Sequence, residues 1–298
     1  MVTDMLQKIL LLLPHINNAL RFCRKSPTKL LSISSSLLLL SGFFSHTYAQ
    51  EYTFVVQPVM QPEQTRENYQ PLVDYLKKQT GLNIKMVTER NFLNYWMNMK
   101  KGKYDLVLDA AHFTDYRAKN LSYSALAKIP DTVTYSLITH QKNLVLDLDE
   151  LVAKRLTTLP PPSMGATRLL QLFTNPTRQP VIISARSASE AIKAVQTGKS
   201  FAAIVPTPML QGVNNVNVIK TTDPLPHMGF SASSKLSIDE QDKIKKALLN
   251  ANLHQNGKSL LAHLKIAEFS NCNNATYNGY ENLLAGMTRK RTRYSASR

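Results

Sequence analysis

The most suggestive chemical motif in the sequence is Gly198-Lys199-Ser200, the ending of a phosphate-gripping loop. Such a loop needs a glycine five residues before this one, where Lys193 stands, and it needs a strand, a loop and a helix in that order. Here the glycine follows a helical pattern and precedes a strand, so a helix C-cap is the better reading. The seven histidines form neither HExxH nor a Cys/His spacing, so no metal is expected. Asp147, Asp149 and Glu150 lack a calcium-loop frame and fit the acidic first turn of a helix. No Gly-x-Ser-x-Gly elbow and no nucleophile–base pairing is present, so nothing marks the chain as an enzyme. The chemistry must therefore come from binding, and the question becomes which elements build a binding surface.

The elements alternate. Tyr52 to Gln57 reads as a strand, and Thr65 to Thr80 as a helix with Tyr69, Leu72, Val73 and Leu76 on one face. Asn83 to Thr88 is a strand. Asn91 to Lys101 is a helix with Phe92, Tyr95, Trp96 and Met99 together. Tyr104 to Asp109 has the apolar run of a buried parallel strand. A short helix follows over 112–120, then a long strand over 133–140. From there the pattern predicts a helix over 147–155, a strand over 156–159, a helix over 166–173 and a strand over 181–184. Ser187-Ala188-Ser189-Glu190 and Ser237-Ile238-Asp239-Glu240 are capping boxes opening helices that end near Thr197 and Asn250. Strands at 201–205 and 216–219 lie between them, and helices at 257–266 and 277–286 close the chain. Gly81, Gly102 and Gly198 each stand after a helix and before a strand, the left-handed C′ position. Repeated helix–glycine–strand units argue for an α/β fold with parallel strands.

The 298 residues carry 36 Lys and Arg against 20 Asp and Glu, a net charge of +16. That balance suggests a nucleic-acid or membrane-surface partner until its distribution is read. Arg21, Arg24, Lys25 and Lys29 precede an apolar, serine-interrupted stretch over 30–44, which ends in Thr47-Tyr48-Ala49. This is the order of a secretory signal, cut between Ala49 and Gln50. The stretch is too short and too rich in serine for a membrane span. Arg289, Lys290, Arg291, Arg293 and Arg298 sit in a polar tail. With both ends set aside, the body carries about +7, which is no nucleic-acid footprint. Of the two cysteines only Cys272 follows the cut, so no internal disulfide is expected.

One block carries a readable signature. A first strand runs into Gln57-Pro58-Val59-Met60-Gln61-Pro62, followed by Thr65-Arg66, Tyr69-Gln70-Pro71-Leu72, Tyr75-Leu76 and Thr80-Gly81. Gly102-Lys103-Tyr104-Asp105-Leu106-Val107 then enters the buried strand. Lys193 to Gly198, Asp223-Pro224-Leu225-Pro226, Ser237 to Leu249, Phe269 and Tyr277 extend the pattern over nearly the whole chain after the signal. The sequence resembles the phosphate, phosphite and phosphonate-binding components of ABC importers, a family of periplasmic type II solute-binding proteins.

The resemblance implies two α/β lobes joined by two crossover strands and closing on a ligand. Lobe one would span 50–139 and 228–298, and lobe two 140–227. It also implies a periplasmic monomer without a cofactor, a small anionic ligand, and an ABC permease in the inner membrane as partner. A ligand-sensing protein signalling to a membrane kinase would use the same clamp. An oxyanion is strongly hydrated in water, and helix N-termini offer it preorganised N–H donors and a favourable dipole. On that reading the ligand residues are Gln57 after the first strand, Ala110, Ala111 and His112 after the buried strand, and Ser163, Met164 and Gly165 in lobe two. Thr207, after a later strand, completes the set. The family's Ser-Thr-Ser run is reduced to Ser163, its histidine stands as Ser187-Ala188, and its Tyr-Asp as Pro206-Thr207. Loss of that acid argues against an aminoalkylphosphonate.

Overall fold

The computed structural model describes residues 50–285. The export signal read at 1–49 and the basic tail from Arg289 lie outside the described residues. Strand β1 (Glu51–Val56) leads through a Pro-containing loop to α1 (Pro62–Thr80), which starts with proline in its first turn and runs through Pro71. Then come β2 (Asn83–Val87), α2 (Phe92–Lys100), β3 (Leu106–Asp109), α3 (Ala111–Asn120) and β4 (Tyr123–Lys128). The chain crosses in β5 (Thr132–Val133) to β6 (Tyr135–His140) and β7 (Arg155–Thr158). It continues through α4 (Met164–Leu172), β8 (Val181–Ser184), α5 (Ala188–Gln196), β9 (Ala202–Pro206) and β10 (Val216–Thr221). It returns in β11 (Leu225–Pro226) to β12 (Gly229–Ser233), α6 (Ile238–Leu249), α7 (Gln255–Leu264) and β13 (Ser270–Asn271).

Two mixed sheets result. The first has the order β13-β4-β12-β3-β1-β2, the second β10-β6-β9-β7-β8, and the crossing strands β5 and β11 pair with each other. Strand β1 is parallel to β2 and β3, while β12 lies antiparallel between β3 and β4. One face of the first sheet packs Phe54, Leu106 and Phe230 against α1, α6 and α7. The other packs Val55 and Val107 against Phe92, Tyr95, Trp96 and Met99 of α2 and Phe113 of α3, the helix face read from the sequence. The second sheet is covered by α4 on one side and by Ala188, Ala191, Ile192 and Val195 of α5 on the other. This is the two-lobe type II architecture with two crossover strands.

The local rules hold where they were strongest. Gly81, Gly102 and Gly198 have φ of 73°, 63° and 72°, as their position after a helix requires. Ser237 and Glu240 form the reciprocal cap that opens α6. At α5 only half the box forms: Ser187 accepts from Glu190 N, but the Glu190 carboxylate turns to Arg186 N.

Several expectations need correction. The strand over 133–140 belongs to the second lobe, because β6 pairs with β9 and β10. The first crossing is therefore at Thr132–Val133, not at 139–142. The helix over 147–155 is one 3-10 turn, Leu148–Leu151, closed by an Asp147/Glu150 capping box. Ala153 then takes a φ of 61°, which ends it before β7. The helix over 277–286 is likewise a 3-10 turn, Tyr280–Leu284, entered through Gly279 at φ 93°. Strands β4 and β12 escaped the sequence pattern. Their Ser and Ala residues have weak strand preference, yet they pair on both sides at the centre of the first sheet.

Candidate functional site

The site is built where strand β3 ends. Its four residues are all buried, and the last, Asp109, is a carboxylate with no solvent exposure. Arg117, two turns into α3, grips both its oxygens. Nη2 donates to Oδ1 at 2.7 Å and Nη1 to Oδ2. Tyr95 OH and Thr114 Oγ1 donate to the same carboxylate, and Arg117 Nη2 also reaches Ser231 Oγ at 2.8 Å. Burial alone would lower the Arg117 pKa, but Asp109 holds it above the ordinary value. Losing one partner of a fully buried pair leaves an uncompensated charge, so this network rigidly fixes the start of α3 to β3 and β12. An Asp ending an apolar strand with an Arg eight residues on is a readable signal. The junction is legible in the sequence through the resemblance; the Asp109–Arg117 pair across it is not part of that signature.

Gln57 sits at the end of β1 and is 6% exposed. Its Oε1 accepts from Ala110 N at 3.2 Å and its Nε2 faces Met228 Sδ at 3.3 Å. It is thus tied to the α3 junction from below. Ala110, Ala111 and His112 form the first turn of α3, and Ala110 and Ala111 are small enough to let backbone approach closely. The first N–H groups of a helix have no intrahelical acceptor.

His112 has no exposed surface. Its Nε2 lies 3.0 Å from the carbonyl oxygen of Pro162, which belongs to the other lobe just ahead of α4. Burial pushes the imidazole down to about 4; the Pro162 bond and Asp109 only partly offset that. The ring is therefore neutral at pH 7. A carbonyl can only accept, so Nε2 carries the proton. Nδ1 is left buried without a partner among the described residues.

In the second lobe Ser163 is the N-cap of α4. Its hydroxyl accepts from Ala166 N at 3.2 Å and donates to Leu159 O at 2.8 Å. Met164 is buried in the lobe-two core. Gly165 lets α4 sit close on the sheet, since a Cβ there would lie 3.0 Å from Thr158 Oγ1 and 3.6 Å from Ile204 O. Thr207 stands apart from these. It joins a hydroxyl cluster in which its Oγ1 is 2.7 Å from Thr134 Oγ1 and 2.8 Å from Ser136 Oγ. The structure therefore brings the Gln57–Ala110–Ala111–His112 group against the Pro162–Gly165 group, and leaves Thr207 with the strands beside the crossing.

Sequence reasoning missed the other contacts between the lobes. Ala188 N, in the first turn of α5, donates to Val59 O at 3.0 Å. Leu159 packs into the aromatic core of lobe one, and Ala110 and Val59 pack against the cores of lobe two. Arg168 of α4 donates to Asp223 O at 3.0 Å and so ties the lobe to the second crossing. Burial lowers its pKa, with Asp223 opposing. Beside the start of α5 an open groove of about 610 Å³ runs from Gln61 past Arg186 and Lys193 to Lys199. Arg155, Arg186, Lys193 and Lys199 line it together with Glu190. Among the described residues no group of three or more His, Cys, Asp and Glu could hold a metal ion, and no helix is long and apolar enough to cross a membrane.

Comparisons with known proteins agree with this fold. A solved structure of PhnD1 from Prochlorococcus marinus in complex with methylphosphonate superposes with a TM-score of 0.70 at 13% identity, covering 80% of this chain and 98% of that one. A binding-protein component of an ABC phosphonate transporter from Pseudomonas aeruginosa gives 0.70 at 13% identity, covering 79% and 85%. A Xanthomonas citri protein bound to ATP gives 0.62 at 11%, covering 79% and 96%. No curated protein matches. At such identities these likenesses speak for the fold. The family is given by the sequence itself, which matches the model of the periplasmic substrate-binding protein of ABC phosphonate transporters over residues 54–277. The chain belongs to that family of solute-binding proteins.

Proposed function

We propose that this protein captures a small phosphonate-like or phosphate-like oxyanion between its lobes and hands it to an ABC permease in the inner membrane. It acts as a binding protein and carries out no catalysis. The observation that carries the reading is the meeting of two helix N-termini. The first turn of α3 and the turn leading into α4 touch through His112 and Pro162, one from each lobe. N–H groups and dipoles converging from both sides suit an anion that must be stripped of water. Gln57 and the Asp109–Arg117 pair hold the lobe-one half in place, and Ser163 and Gly165 hold the other half. In this reading lobe one comprises 50–131 and 228–285, lobe two 134–224, and the crossings act as the hinge. Export through a signal cut after Ala49 would deliver the chain to the compartment in which its family works.

Thermal denaturation against methylphosphonate, phosphite and phosphate tests the proposal. A binding anion raises the melting temperature, and the rise grows with concentration as RT ln(1 + [L]/Kd). A melting temperature unmoved by all three at millimolar concentration would refute the oxyanion reading.

A further inference from the structure

We infer that the oxyanion is held in a singly protonated form, with its own hydroxyl donating to Nδ1 of His112. The inference rests on the oxyanion reading above. It begins with the tautomer. Nε2 faces the Pro162 carbonyl at 3.0 Å, and that oxygen has no proton to give. The N–H must be on Nε2, and Nδ1 presents a lone pair. The ring is fully buried, and Nδ1 has no hydrogen-bond partner among the described residues. The ring joins the lobes through Nε2 and Pro162, so a ligand hydroxyl taken into this contact would find Nδ1 as its acceptor.

An acceptor at this point sets a rule for the ligand. The first-turn N–H groups of α3 and α4 are donors and suit bare oxyanion oxygens. Nδ1 suits only a hydrogen. A hydrogen phosphonate or hydrogen phosphate ion supplies bare oxygens and one acidic hydroxyl together. Sulfate is fully ionised at neutral pH and supplies no donor, so it would set lone pair against lone pair. Sites built around a required hydrogen bond reject analogues that lack it strongly. The imidazole could escape the rule by taking a second proton. The charged groups acting on it are Asp109 and Arg117, which neutralise each other, and burial keeps the ring neutral.

Isothermal titration calorimetry of the protein purified from residue 50 onward with methylphosphonate, phosphate and sulfate, from pH 6 to pH 9, tests this. The expected result is an affinity for methylphosphonate that follows its monoanion fraction. Above the second ionisation of the ligand it should fall about tenfold per pH unit. Sulfate should bind at least ~100-fold more weakly than phosphate at pH 6. In His112→Phe the phosphate–sulfate gap should close. Affinity that is flat or rising up to pH 9, or sulfate bound as well as phosphate by the wild type, overturns the inference while leaving the oxyanion site standing. Absence of binding by all three anions overturns the site itself. Both profiles are read on the wild-type chain, so the test survives if the Phe variant does not fold.

Discussion

Acid should loosen this protein well before ordinary carboxylates protonate, and the share that His112 contributes can be worked out. An unfolded histidine titrates near 6.5, and burial pushes this one down to about 4 in the folded chain. Between these values the unfolded chain binds more protons than the folded one, so stability rises with pH across the window. The contribution is complete above about pH 6.5 and is lost as pH falls toward 4; below that both states are protonated. The full span corresponds to about 3 kcal/mol, of which about 2 kcal/mol has gone by pH 5. For a chain of this size, 2 kcal/mol is a fall in melting temperature of roughly 4–8 °C.

Urea titrations at pH 5, 6 and 7 would measure this, run on wild type and on His112→Gln. Glutamine keeps an N–H able to reach the Pro162 carbonyl but does not titrate. Its loss of packing lowers stability equally at every pH. The wild type should lose about 2 kcal/mol more than the variant between pH 7 and pH 5. Equal slopes in the two proteins would refute the buried, neutral assignment of His112. His227 adds in the same direction and makes the wild-type slope steeper. It stands in the second crossing, where burial first and Lys128 second push it down to about 4, and its Nδ1 accepts from Met228 N at 2.8 Å. Because it is present in both proteins, its share cancels in the comparison.

Three further outcomes follow from the packing. Arg117→Met should cost about 3–5 kcal/mol in urea unfolding, because Asp109 is left charged and buried, and Asp109→Leu in the same chain should restore part of that. An effect under 1 kcal/mol would mean that the pair does not hold the α3 junction. Gly257→Ala should cost about 2–3 kcal/mol by the same assay. Its new Cβ would fall 2.0 Å from the backbone oxygen of Ala251, and a backbone atom cannot step aside as a flexible side chain can. Ser237→Ala should cost about 1 kcal/mol, since the reciprocal cap at the start of α6 loses the hydroxyl that meets Glu240 N; hydrogen exchange at Glu240 would report the freed amide directly.

What the sequence revealed and what it hid have one physical cause. Short-range rules were readable. The aromatic face of α2, the left-handed glycines and the Ser237 cap depend on neighbours within a few residues. Strand β12 was hidden because Gly229-Phe230-Ser231-Ala232-Ser233 lacks the β-branched signal. Its small residues suit a centre strand closely packed on both faces, a fact known only from the sheet. The lobe boundary failed for a related reason. The apolar run over 133–140 reads as one strand, but Thr134 divides it, with Val133 pairing in the hinge and Tyr135 onward pairing with the second sheet. The junction residues Gln57, Ala110 and Ser163 could be named from the resemblance. Their partners could not. His112 meets a carbonyl 50 residues away in the other lobe, and no local pattern encodes that distance.

Those partners change how the cleft must work. Gln57 Oε1 already serves Ala110 N, Ser163 Oγ serves Ala166 N, and Val59 O serves Ala188 N. Gln57 and Ser163 are thus committed to shaping the starts of α3 and α4, and the backbone bond from Ala188 to Val59 already joins the lobes. A ligand stabilises the closed form only by the difference between its affinities for closed and open states. Contacts that the lobes make with each other add nothing to that difference; they set how much of the protein is closed beforehand. In the proposed reading, discrimination between anions is left to the first-turn N–H groups that these caps do not take up and to Nδ1 of His112. Backbone donors read charge and shape but accept any oxyanion of suitable size. A single imidazole nitrogen that can only accept distinguishes a protonated anion from a bare one.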